Sequence, residues 1–137
     1  MSAWSKWFGI LEAPPCDGAA VYRVRVEINE KPIAIRRIGE IDREGILFFG
    51  ETSNLKQRIY QLQRTFETGA YGHPEIALYK KVRRRLNKRL GYTGLQYSYQ
   101  MAGNGSKAHI LEARYIRNYF RKFCEPPPFN SSIPRKS

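Results

Sequence analysis

Residues 45–59, GILFFGETSNLKQRI, set the strongest local constraint on the fold. An apolar run closed by Gly50 reads as a short strand. The period then changes. Thr52 or Ser53 can cap a helix, and Leu55, Ile59, Leu62 and Phe66 fall on one helical stripe that Gly69 ends. A strand that hands over this abruptly to an amphipathic helix requires a mixed fold.

The rest of the chain fills in that order. AAVYRVRVEI alternates Tyr22, Val24, Val26 and Ile28 against Val21, Arg23, Arg25 and Glu27, the period of a half-buried strand with Tyr22 on the apolar side. KPIAIRRIGEI reads as a second strand or hairpin arm. A second helix is predicted over about 74–90, LQYSYQMA alternates as another strand, and a last helix is predicted over about 106–123. No internal repeat or low-complexity tract interrupts the pattern. The expectation is one α+β domain, with a small, mostly antiparallel sheet flanked by helices, over residues 17–130. Residues 1–16 form a lead-in and 131–137 a basic tail.

Lys and Arg outnumber Asp and Glu by 24 to 12, a net charge of +12, which makes a polyanion the natural partner. Arg83, Arg84, Arg85, Lys88 and Arg89 crowd one segment at self-repelling spacing, as a phosphate-backbone clamp would, and as a merely solvated face also could. Cys16 and Cys124 make neither a Cys-x-x-Cys pair nor a zinc set with His73 and His109, so reduced structural thiols are expected. The start lacks the apolar region and cleavage site of a secretory signal, and no uninterrupted apolar run could span a bilayer. The expectation is a cytoplasmic protein that does not engage membranes.

Two charged residues stand beside apolar stripes. Arg58 lies within one helical step of Leu55 and Leu62. Glu112 neighbours Ala108, His109, Tyr115 and Ile116, while Arg114, Arg117 and Arg121 form a separate basic stripe on the same helix. Spacing alone leaves two readings open: a buried structural ion pair, or a site where a metal meets the carboxylate and Arg58 meets a phosphate.

AAVYRV followed by LFFGETSNLKQRI, then the glutamate of HILEARYI and the asparagine of PPPFNSS, resembles the GIY-YIG nuclease family over residues 17–130. That family carries Gly-Ile-Tyr on one strand, Tyr-Ile-Gly on the next, a following helical arginine, a helical metal-binding glutamate and a late asparagine. Tyr22, Gly50, Arg58, Glu112 and Asn130 fill those places in order.

The resemblance implies a Mg2+-dependent endonuclease acting on duplex or branched DNA, with Mn2+ as a substitute ion and RNA a lesser partner. It assigns Tyr22 to accept a proton from water, Arg58 to hold the phosphate with its planar fork, Glu112 to ligate the metal and Asn130 to orient groups nearby. Gly50 would let the backbone approach closely. Arg114, Arg117 and Arg121 join the basic cluster as expected nucleic-acid contacts. Three positions depart from the family pattern: Ala20 replaces the first glycine, Phe48 a tyrosine and Leu62 a histidine or tyrosine. Phe48 keeps the packing of the ring but can neither ionise nor donate. Two alternatives stay open beside the enzyme: a catalytically silent nucleic-acid-binding domain of this fold, and a basic RNA-binding protein. Oligomeric state is open, since the resemblance covers monomeric nickers and dimeric double-strand cutters.

Overall fold

The computed structural model describes residues 3–28, 30–68 and 94–130. The expected helix over about 74–90, with Arg83, Arg84, Arg85, Lys88 and Arg89, lies outside the described residues, as does the 131–137 tail.

The fold is α+β, and its sheet is antiparallel at every described pairing. Its centre is β2 (Ala20–Ile28), which pairs with β6 (Ile46–Thr52) along one edge and with β7 (Gly94–Met101) along the other. At its far end β2 turns into β3 (Lys31–Pro32), and β1 (Phe8–Gly9) adds to the outer edge of β7. The stretch expected as one hairpin arm is divided. It gives β3 and a separate ribbon of β4 (Ile35–Arg36) and β5 (Ile41–Asp42). The intervening loop docks on the last helix, where the Gly39 N–H donates to the Phe123 carbonyl at 2.8 Å. A Cβ on Gly39 would stand 2.9 Å from the Lys122 carbonyl oxygen, so only glycine lets the loop approach this closely.

Alternation along β2 gives the two faces different fates. Ala20, Tyr22, Val24 and Val26 pack with Leu95, Tyr97 and Tyr99 and with Leu55, Ile59 and Leu62 of α1 (Leu55–Thr68). Each of those three helical side chains is fully buried, worth roughly 1.5–3 kcal/mol apiece. On the opposite face Ile46 and Phe49 pack with Ile116, Tyr119 and Phe123 of α2 (Gly105–Phe123). A bulge lets Val24 pair with Phe48 and Arg25 with Ile46, skipping Leu47. Four consecutive apolar residues are thereby all buried, because both faces of β6 are covered.

The local signals hold with small shifts. β6 continues past Gly50 to Thr52. The cap of α1 is Asn54, whose Oδ1 accepts from the Gln57 N–H at 3.1 Å, rather than Thr52 or Ser53. The Thr52 hydroxyl instead accepts from the Asn54 N–H and donates to the Asn54 carbonyl, which fixes the turn ahead of the cap. Asn104 caps α2 by accepting from the Lys107 N–H at 2.8 Å, and Cys124 ends it in the left-handed region at φ 63°. Among the described residues, no helix is long and apolar enough to cross a membrane.

Candidate functional site

Strand pairing sets Tyr22 directly across from Gly50. A Cβ on Gly50 would stand 2.8 Å from Tyr22 Cε2 and closer still to Cζ and the hydroxyl, so the phenol occupies the space that any side chain there would need. Phe48, one step along the same face, meets the Tyr22 ring edge-on with centroids 6.3 Å apart. The hydroxyl accepts from Arg58 Nη1 at 3.3 Å. Tyr22 is only 1% exposed, whereas Arg58 is half-buried, so the guanidinium is the outward end of the pair.

Arg58 is delivered by the start of α1, which is fixed to the strand that carries Tyr22. The Leu55 N–H donates to the Gly18 carbonyl at 2.9 Å, and Asp17 Oδ1 accepts from the Lys56 N–H at 3.0 Å and the Gly18 N–H at 2.8 Å. These backbone donors, the Lys56 N–H first, hold the Asp17 carboxyl below its ordinary value. The start of α2 reaches the same end of the sheet: a Cβ on Gly105 would stand 3.8 Å from Ser53 Cβ, and the Ala102 N–H donates to the Ala19 carbonyl at 2.9 Å. Two helix N-termini therefore share that end, each favouring negative charge.

Asn130 lies next to this cluster. Its Oδ1 accepts from the Phe49 N–H at 3.0 Å and its Nδ2 donates to the Phe49 carbonyl at 3.1 Å. One side chain thus imitates a strand partner on the outer edge of β6, and the Phe129 N–H extends the cover by donating to the Leu47 carbonyl at 2.8 Å. Phe48 and Leu62 both lie in the core. Glu112 is half-buried on α2, the helix on the face opposite the Tyr22 ring. Arg114 and Arg121 of that helix are exposed and Arg117 is half-buried. The structure gathers Tyr22, Gly50 and Arg58, sets Asn130 beside them, and carries Glu112 on the other layer.

The sequence reading missed what lies over the polar side of β2. Arg23 sits 4.4 Å from the Trp4 ring and 4.7 Å from the Trp7 ring, and Arg25 lies 4.0 Å from Trp7. Burial pushes both guanidinium groups below their ordinary pKa, while Glu44 pulls in the other direction. Two tryptophans in the lead-in and two alternating arginines were the available signal, but their meeting depends on the chain doubling back beside β7. Nearby, Asp42 accepts from the Glu44, Gly45 and Ile46 N–H groups and, at 2.8 Å, from the Tyr119 hydroxyl.

No family model matches the chain, and no curated protein or solved structure matches it.

Proposed function

We propose that this chain is a GIY-YIG-type, Mg2+-dependent endonuclease that hydrolyses phosphodiester bonds in DNA. The observation that carries the reading is the convergence of Tyr22, Gly50 and Arg58, residues from three separate motif positions, through one 3.3 Å hydrogen bond and one close packing contact. In this role Arg58 keeps its remaining donors for a phosphate oxygen while holding the phenol with Nη1. Tyr22, once ionised, would accept a proton from water at its phenolate oxygen, and Asn130 fixes the strand position just before Gly50. The paired helix N-termini add favourable potential for the phosphate. Arg114, Arg117 and Arg121 offer sequence-independent backbone contacts.

Among the described residues, no three His, Cys, Asp or Glu side chains gather into a metal cage. The resemblance gives Glu112 as the single carboxylate for an ion that keeps most of its waters and takes substrate oxygens, although Glu112 stands on the helix of the layer opposite the Tyr22 ring. Bound Mg2+ would supply charge neutralisation at the phosphate.

A second reading, a silent nucleic-acid-binding domain, is favoured by one specific observation. Tyr22 is almost completely buried, with Phe48 and Leu62 packed in the same core. The deciding experiment is cleavage of supercoiled plasmid and branched duplex DNA with Mg2+, Mn2+ or EDTA. Wild type is expected to nick only with metal. Arg58→Ala, Tyr22→Phe and Glu112→Ala are each expected to lose activity by ~10²-fold or more while keeping a wild-type circular dichroism spectrum. No cutting by wild type, with salt-sensitive DNA binding retained, would overturn the enzyme in favour of the binding domain.

A further inference from the structure

Where β7 hands over to α2, a groove of about 440 Å³ opens beside the first turns of the helix. Its size falls within the ~300–1,000 Å³ of small-molecule sites. One wall is the end of the strand and the turn after it, from Gln100 to Gly103. The other is a stripe of α2 formed by Lys107, Ile110, Leu111 and Arg114. These positions recur at steps of three and four, so they share one side of the helix. Ile110 is left 51% exposed there. A lone exposed aliphatic residue is ordinary, but this one lies in a concave lining with Met101, Ala102 and Leu111.

Two properties of that lining select a ligand. First, the apolar walls are aliphatic, with no aromatic ring among the described lining residues, which suits a methylene chain rather than a stacked planar ring. Met101 adds an adaptable thioether to them. Second, the charge is of one sign. Lys107 and Arg114 are exposed cations roughly 10 Å apart along the helix, and no carboxylate lines the groove among the described residues. Neither cation is ion-paired with a described residue. Lys107 folds back over the turn: a Cβ on Gly103 would stand 3.7 Å from its Cδ and 4.0 Å from its Nζ, which keeps the ammonium at the rim. Gln100, the uncharged polar side chain of the lining, already has its Oε1 engaged by the Tyr115 hydroxyl.

We propose that this groove binds a single-chain anionic amphiphile of the fatty-carboxylate class, with its methylene chain against Met101, Ile110 and Leu111 and its carboxylate on Lys107 or Arg114. A membrane surface fits less well, because Lys107, His109, Arg114, Asn118 and Arg121 are also exposed on α2 and leave no broad apolar face to insert. The site goes beyond the nuclease reading and does not rest on it, so amphiphile binding can succeed or fail independently of DNA cleavage.

Isothermal titration of the full chain with octanoate, decanoate and dodecanoate tests it. One site per chain is expected, with affinity rising roughly 3-fold for each added methylene. Decyltrimethylammonium, which has the same tail and the opposite charge, is expected to bind at least ~10-fold more weakly than decanoate. Ile110→Asp should weaken decanoate ~10-fold or more without altering the circular dichroism spectrum. Lys107→Gln/Arg114→Gln should weaken it ~10-fold, whereas Arg121→Gln/Lys122→Gln, which removes the same charge from the far end of α2, should bind like wild type. No decanoate heat up to ~5 mM, equal binding of the cationic amphiphile, or equal losses in the two double variants would each overturn the proposal. Binding of phosphatidylglycerol vesicles that Ile110→Asp abolishes, without any decanoate binding, would overturn it in favour of a membrane surface.

Discussion

The two faces of the central strand solve the same packing problem with opposite chemistry. On the α1 face, Tyr22 meets apolar neighbours and its hydroxyl accepts from Arg58 at its outer end. On the α2 face, Arg23 and Arg25 are roofed by Trp4 and Trp7, and a carboxylate at Asp42 gathers three backbone donors and a tyrosine. The first face is specified by fit: one missing Cβ at Gly50 makes room for one phenol. The second is specified by the hydrogen bonds gathered at Asp42 and by cation-ring contacts, which tolerate a change of shape better than the loss of a partner.

The sharpest way to break that contrast is Asp42→Ala. It leaves three backbone N–H groups without their acceptor and should cost on the order of 3–5 kcal/mol, read as a fall in the urea midpoint. A loss below ~1 kcal/mol would mean water replaces the carboxylate and that the polar face is less exacting than its geometry indicates. Gly50→Ala tests the opposite face. Overpacking against the Tyr22 ring should cost roughly 1–3 kcal/mol, and the double variant with Tyr22→Ala should recover part of that strain, a coupling measured by a thermal-unfolding cycle. Simple additivity would show that the phenol moves aside freely.

Smaller effects sharpen the comparison further. Burial and the Asp42 carboxylate raise the Tyr119 pKa well above its ordinary 10.0, so the folded state keeps a proton that the unfolded chain loses. Its contribution is fully present below pH ~10 and is lost as pH rises past it, so alkaline unfolding should become less steep in Tyr119→Phe. Tyr99 follows in sign, pushed up to about 12 by burial first and then by its contact with Cys16. Trp7 touches both arginines and Trp4 only Arg23, so Trp7→Ala should exceed Trp4→Ala in destabilisation by ~0.5–1 kcal/mol if ring contacts with cations govern that face. The reverse order would assign the weight to the packing of Trp4 on Phe49 and Tyr115. The smallest effect belongs to Asp17. Its lowered pKa gives stability that is present above the ordinary carboxyl value and is lost as pH falls through the folded one. Asp17→Asn should therefore lower Tm slightly at neutral pH, by about a degree or two at most, and flatten its decline in acid, where the wild type has already lost the same contribution. An unaltered acid limb would remove the carboxylate from the anchoring of α1.

Sequence periodicity alone was enough to establish β2, the existence of the strand through Gly50 though not its end at Thr52, α1 and the last helix, because each repeat depends only on residues a few positions apart. It also placed Tyr22 among the apolar residues and Arg58 at the edge of its stripe. Tertiary structure decided what those positions meet. The contact between Tyr22 and Arg58 needs the Asp17 and Gly18 anchor that aims α1, Asn130 becomes a strand mimic only because the proline segment returns to β6, and Glu112 rides the opposite layer because alternation turns Ile46 and Phe49 that way. The burial of Arg23 depends on the lead-in pairing beside β7. Local spacing encodes which face a side chain takes, whereas the partner across that face is set by contacts between residues far apart in the chain, which no local period records.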